Sequence, residues 1–339
     1  MNRKLLATLL TSITLSLTAC GGGSSKSSLD GSGSVSVDPS GSFSGQRSNA
    51  AITGGDNGNY KAFLTSFLGT NNLQDVALRN TAASNANSSN GIRDFLTISS
   101  AVKKLKATHT SNQRKAIPVS DTSACTNGGS ITGSGTLDDV TRVGNIVMTF
   151  NNCIEGTLTI NGISEVIIRN YNFTYDVPDS YILKAQNLSV TSGDESYTST
   201  AIYDVVEDYT AGTAVLLINA LNTANDIEIF YENLQLDTDS GGVLISGRIY
   251  TEEDGYVTIT TDSRVLYNIN ATFPYTGGPI TLAGENSNIR ITPIANETIQ
   301  VELDLDGDGV YEELLIIGAD GNIVGNTDGD VINSDTVSF

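Results

Sequence analysis

From Ser120 onward the sequence alternates with a period of two, Thr, Val, Ile and Tyr are enriched, and turn signals recur about every 8 to 12 residues. Successive side chains of a strand point to opposite faces, so this alternation dictates half-buried β-strands. Ile146, Met148 and Phe150 fall on one face of a strand, as do Tyr171, Phe173 and Tyr175 further on. Asn161-Gly162, between "TLTI" and "ISEVIIR", predicts a hairpin, because both central residues of a type I′ turn need positive φ. "IEIFYENLQL" and "GGVLISGRIY" predict another pair joined through residues 237–242, and "GYVTITTDS" follows the turn Glu252-Glu253-Asp254-Gly255. With connections this short, sequential antiparallel pairing is the economical topology. The expected fold class is mainly β: an antiparallel extended sheet, a sandwich or a partly open barrel, with a short N-terminal helical section.

That helical section shows a different period. Tyr60, Phe63, Leu64, Phe67 and Leu68 stand at i, i+3, i+4, i+7 and i+8, and Gly69 follows as a stop signal. A second stripe, Phe95, Ile98, Val102 and Leu105, runs within residues 92–107, with Lys103, Lys104 and Lys106 at its C-terminal end, where cations complement the helix dipole. Neither helix is long enough to be stable alone, so both are expected to dock on the sheet.

The start of the chain reads as an export signal. Arg3 and Lys4 precede an apolar stretch from Leu5 to Leu17, too short to span a bilayer as a helix. Leu17-Thr18-Ala19-Cys20 then resembles the lipobox of bacterial lipoproteins. The resemblance implies that Cys20 receives diacylglycerol and an acyl chain and becomes the new N-terminus, and Gly21, in place of Asp, implies the outer membrane. Lipid chains contribute about 0.8 kcal/mol per buried CH₂, so two or three of them anchor a protein lastingly. Gly, Ser, Asp and Asn dominate residues 21–58, which therefore read as a flexible tether. The expected organisation is a signal peptide (1–19), a lipidated tether (20–58), a helical section with a basic linker (59–118) and an antiparallel β domain (119–339).

Of the three cysteines, Cys125 and Cys153 remain once Cys20 is assigned to lipid. Their midpoint, residue 139, falls in the polar turn Asp138-Asp139, so a hairpin there sets them face to face. A disulfide follows, as suits an oxidising compartment. The spacing is unlike the close Cys-x-x-Cys pairs that lower a thiol pKa.

Charge divides the chain. Residues 1–115 carry a net +7 and residues 116–339 a net −27. A body so acidic repels nucleic acid and anionic head groups and collects divalent cations, so no nucleic-acid partner is expected.

The most pointed chemistry lies in "ELDLDGDGVYEELLIIG", residues 302–318. Asp304, Asp306 and Asp308 occupy alternate positions, Gly309 permits a sharp turn, the Val310 carbonyl stands at the seventh place and Glu312 at the ninth. The pattern resembles the Asp-x-Asp-x-Asp-Gly loops of dockerins, EF-hands and especially the FG-GAP type repeat, in which such a loop joins two strands. The resemblance implies structural calcium (Ca2+), held with an affinity on the order of 0.1–1 mM. Leu315 replaces the bidentate Glu of an EF-hand, and the flanks are β-like. Residues 302–313 hold six carboxylates and no Lys or Arg, a like-charge cluster that a cation would relieve.

Catalysis finds little support. His109 is the only histidine and precedes the β region, so neither a Ser-His-Asp triad nor a His-ligated zinc can be assembled in the β body. The cluster Lys103, Lys104, Lys106, Arg114 and Lys115 suits either anionic lipid or the acidic sheet itself. The layout, with its tether, helical section, "CTNGGS" hairpin and late "DLDGDG" loop, resembles outer-membrane lipoproteins of Gram-negative bacteria. The expected function is a non-catalytic, lipid-anchored envelope protein with a structural or binding role. Its membrane contact is the anchor, and its partners are an envelope protein, a glycan or a lipid. The alternative is a carrier that cups a hydrophobic ligand in a half-open barrel.

Overall fold

The computed structural model describes residues 35–55, 57–71, 116–155, 158–174, 177–192, 195–267, 274–294, 298–318 and 323–326. Cys20, His109, the 92–107 stripe, the basic cluster, Leu68 as a side chain and Tyr175 lie outside what is described. The chain divides into two compact units, residues 2–39 with 93–216, and residues 40–92 with 217–339.

The first unit holds β1 (Ala116–Ala124), β2 (Gly128–Asp138), β3 (Gly144–Glu155), β4 (Leu158–Asn172), β5 (Val177–Ser192) and β6 (Glu195–Asp208). Each is antiparallel to the next. Strand β7 (Thr213–Ala224) straddles the division. The second unit continues with β8 (Ile227–Asp239), β9 (Gly242–Thr251), β10 (Gly255–Thr261), β13 (Ile280–Gly284), β14 (Ser287–Ile294), β15 (Thr298–Asp304), β16 (Glu313–Ile317) and β17 (Ile323–Asn326), again in chain order. Two short strands, β11 (Leu266–Tyr267) and β12 (Pro274–Thr276), form a separate ribbon. Among the described strands the order is linear, an open antiparallel sheet of the extended kind expected.

Period two does what the sequence demands of it. Ile146, Met148 and Phe150 of β3 are buried, as are Val166 and Ile168 of β4 and Tyr181, Leu183 and Ala185 of β5. In the second unit the same pattern buries Val257, Ile259, Leu282, Ile291, Val301 and Leu303. The pairing of β8 with β9 and the start of β10 at Gly255 match the expectation from sequence.

In three strands the alternation changes parity at an asparagine. In β3 the buried series passes from Phe150 to Cys153, in β5 from Ala185 to Leu188, and in β8 from Tyr231 to Leu234. Each change of parity is a β-bulge whose extra residue is an asparagine at positive φ: Asn152 (φ 45), Asn187 (φ 46) and Asn233 (φ 50). Asparagine tolerates this left-handed backbone better than other non-glycine residues. A neighbouring strand supplies an acceptor for each bulge N–H: Asn161 Oδ1 at 2.7 Å for Asn152, Thr200 Oγ1 at 3.2 Å for Asn187, and Asn219 Oδ1 at 3.0 Å for Asn233.

These bulges overturn one hairpin. Asn161-Gly162 is no turn; both residues lie within β4, which pairs with β3 and β5 on either side of them. Asn161 serves the Asn152 bulge, and the positive φ read as a turn signal belongs to a strand interior. Phe173 also departs from expectation. It sits 60% exposed in the turn after β4, while Tyr171 is buried.

The disulfide forms between Cys125 and Cys153, with Cα atoms 5.4 Å apart. Cys125 lies just past β1, however, and reaches back to β3 from the β1–β2 turn instead of standing opposite Cys153 along β2.

The tether expected over 20–58 does not extend to residue 58. From Val35 the chain is packed: Val35, Phe43, Ala50 and Ile52 are buried, α1 (Pro39–Ser42) makes one turn, and Asn49 bridges Tyr256 of β10 in parallel. In the first unit, the Val35 N–H donates to Glu165 Oε2 (3.2 Å) and Lys184 Nζ donates to the Val35 carbonyl (3.4 Å) and to Glu165 (3.1 Å). Asn145 completes the shell of Glu165, whose side chain is only 1% exposed. In the second unit, Phe43 stacks with Phe230 and meets Tyr250 edge-on, and its sequence neighbour Ser44 bonds Glu228. Polar composition hid these few well-spaced anchors.

Helix α2 (Tyr60–Asn71) follows, two residues past the glycine expected to stop it. It buries Tyr60, Phe63, Leu64 and Phe67 and packs on β9, with Tyr231 donating to the Ser66 carbonyl at 3.1 Å.

Two measurements check this account. Replacing Cys125 and Cys153 together by Ala is expected to lower stability by about 3–4 kcal/mol on the chain-entropy model, read as a urea midpoint under oxidising conditions. Gly247 faces the Asn233 bulge at φ 139, and an added Cβ there would lie 2.6 Å from Leu234 Cα. Gly247→Ala is therefore expected to destabilise by more than about 1 kcal/mol, whereas an Ala at exposed Gly241 changes stability by under about 0.5 kcal/mol.

Candidate metal centre

The Asp-rich segment connects β15 to β16, so the flanks are strands, as the sequence implies. Leu315 is buried in β16 and cannot act as a twelfth ligand.

Asp304 ends β15 and is 2% exposed. Its carboxylate accepts from the Gly307 N–H (2.7 Å), the Gly309 N–H (3.2 Å) and Asn288 Nδ2 (3.2 Å). Gly307 adopts φ 75, and a Cβ there would crowd the Asn286 backbone at 2.9 Å, so the turn demands glycine. Asp306 accepts from the Asp308 N–H and Asp308 from the Val310 N–H, each closing the loop on itself. Glu312 accepts from the Leu305 N–H at 2.7 Å across the loop mouth, and the Glu312 N–H donates to the Leu303 carbonyl.

The six carboxylates of residues 302–313 therefore separate into two groups. Glu302 faces Arg290 across the strand pair at 3.7 Å, and Glu313 accepts from the Gly55 N–H of the packed N-terminal segment. The other four converge: one carboxylate oxygen from each of Asp304, Asp306, Asp308 and Glu312 lies within 4.8 Å of the rest. Among the described residues this is the one grouping of three or more His, Cys, Asp or Glu with such geometry. Val310 lies on the rim, its side chain 62% exposed and its N–H given to Asp308.

At this spacing each pair of carboxylates repels by about 1 kcal/mol even at the dielectric of water, and by more where solvent is excluded. Five backbone N–H groups and one side-chain amide offset part of this. Hard oxygen donors clustered around a glycine turn match calcium or another divalent cation, with no soft or nitrogen ligand to favour zinc or copper.

Sequence reading found the four carboxylates but missed Asn288, which reaches Asp304 only because β14 pairs with β15 in that register. No protein family, curated protein or solved structure matches the chain.

The geometry separates two roles. Asp304→Ala strands two backbone donors and the Asn288 amide, and is expected to cost about 1–3 kcal/mol in the presence of a chelator. Asp306→Asn, at an exposed position, is expected to change chelator-state stability by under about 0.5 kcal/mol, yet to lessen any rise in the urea midpoint produced by millimolar calcium.

Proposed function

We propose that the chain is a non-catalytic, lipid-anchored cell-envelope protein whose antiparallel sheet serves a structural or binding role, with calcium bracing the β15–β16 loop. Cys20 carries the diacylglycerol and acyl groups, and the body stands at the outer membrane. The reading rests on the lipobox-like Leu17-Thr18-Ala19-Cys20.

What gives that motif structural weight is the fixation of Val35. Fifteen residue steps separate it from Cys20, a span of at most about 50–55 Å. The backbone N–H and carbonyl of Val35 are both bonded to the buried Glu165–Lys184 pair. An anchor at Cys20 thus leads into the sheet through a short, firmly attached leader. The acidic balance of residues 116–339 keeps the body off anionic head groups and argues against a nucleic-acid partner. Of the six cations in that section, five are ion-paired: Arg169 with Asp204, Lys184 with Glu165, Arg248 with Glu232, Arg264 with Asp237 and Asp239, and Arg290 with Glu302.

A carrier would need an accessible apolar lining. The inward apolar residues of both units are almost wholly out of solvent, which favours the structural or binding role.

Detergent phase partition of the chain produced in a Gram-negative host tests the reading. The parent protein is expected in the detergent phase and Cys20→Ser in the aqueous phase; a parent protein wholly in the aqueous phase overturns it.

A further inference from the structure

The buried face of β6 runs Ala201, Tyr203, Val205 and then Glu207, where an apolar residue is due. The matching face of β5 runs Ala185, Leu183, Tyr181 and then Asp179. Ser180 and Val206 are cross-strand partners, so Asp179 and Glu207, one step further on, stand opposite each other. Glu207 is 6% exposed; its two carboxylate oxygens and Asp179 Oδ1 are out of solvent and none of the three is held by a well-formed hydrogen bond, the Tyr209 hydroxyl being the donor that reaches toward Glu207.

Among the described residues no cation is placed to compensate. The described ionisable groups around the pair are Tyr181 and Tyr203 on the same face, Tyr209 in the following turn and Tyr171 on β4 beside Pro178. The Tyr209 hydroxyl donates to the Pro178 carbonyl at 3.4 Å. Arg169 and Lys184 lie on the other face, paired with Asp204 and Glu165. Asp208 points into its own turn, accepting from the Thr210 and Ala211 N–H groups, and β7 carries no ionisable side chain.

We propose that Glu207 and Asp179 make the pairing of β5 with β6 proton-dependent: Glu207 rests as the neutral acid, and its ionisation sets two carboxylates against each other on the buried face and loosens that end of the strands.

An ionised carboxylate with too few donors is costly to bury, so the group keeps its proton instead. Burial pushes the Glu207 carboxyl up to about 8, the Tyr209 hydroxyl pulls part of the way back, and the negative Asp179 adds to the rise. The folded state then binds this proton more tightly than the unfolded chain, whose carboxyl titrates at 4.5. Stability from this group is complete below the unfolded value, declines as pH rises toward about 8, and is flat above it.

The test is the urea midpoint of the full chain from about pH 5 to about pH 9, with calcium chelated throughout. The parent midpoint is expected to fall across this range. Glu207→Gln is expected to remove most of the fall and to unfold at higher urea than the parent at the alkaline end, and Asp179→Asn to lessen it. Parallel curves for parent and Glu207→Gln overturn the proposal. Should the variant fail to fold, a carbon-13 titration of the Glu207 carboxyl in the parent decides: a midpoint above about pH 7 supports the pair, and one in the ordinary carboxylate range overturns it.

Discussion

The described fold follows from nearly every strand taking its sequence neighbour as its antiparallel partner, the β11–β12 ribbon between β10 and β13 being the one interruption. Pairing between neighbours closes only short loops, so the entropy of forming each ladder stays small and no long-range crossover is needed. The same rule leaves two linear edges and forces the buried face to be built strand by strand. It also explains why a chain with little apolar surplus and a strongly acidic second part can still fold. Inward residues such as Met148, Leu183, Leu282 and Val301 lose almost all their exposure, while most of the charges remain outside, Glu165, Glu207 and Asp304 being buried.

A long meander must bend and twist, and the asparagine bulges provide this without losing the buried face. Each adds one residue, flips the alternation, and hands its N–H to a side chain on an adjacent strand. The local sequences are alike: "NNCI", "QNLSV" and "ENLQL" each place asparagine directly before a buried residue. Cys153 owes its inward position to this device, and through it so does the disulfide.

The period-two signal, the Tyr60–Phe67 stripe, the pairing of 227–239 with 242–251 and the bonded cysteines could all be read from residues close together in sequence. What could not be read depends on distant partners. Asn161-Gly162 has the composition of a turn, but pairing on both sides holds it within a strand. The segment after Val35 looks like a linker because its anchors are few, and their partners lie more than a hundred residues away. In the acidic loop the pattern marked the four converging carboxylates. The separation of Glu302 and Glu313 from them needed Arg290 across a strand pair and Gly55 at a separation of 258 residues.

The attachment of Val35 has a mechanical consequence. Its partners belong to β4 and β5, both flanked by strands on either side within the first unit, and not to the edge strand β1. Tension arriving along the leader is therefore delivered to the middle of a ladder, where it is shared among many bonds at once. The same pull on an outermost strand would break them one after another, like a zip.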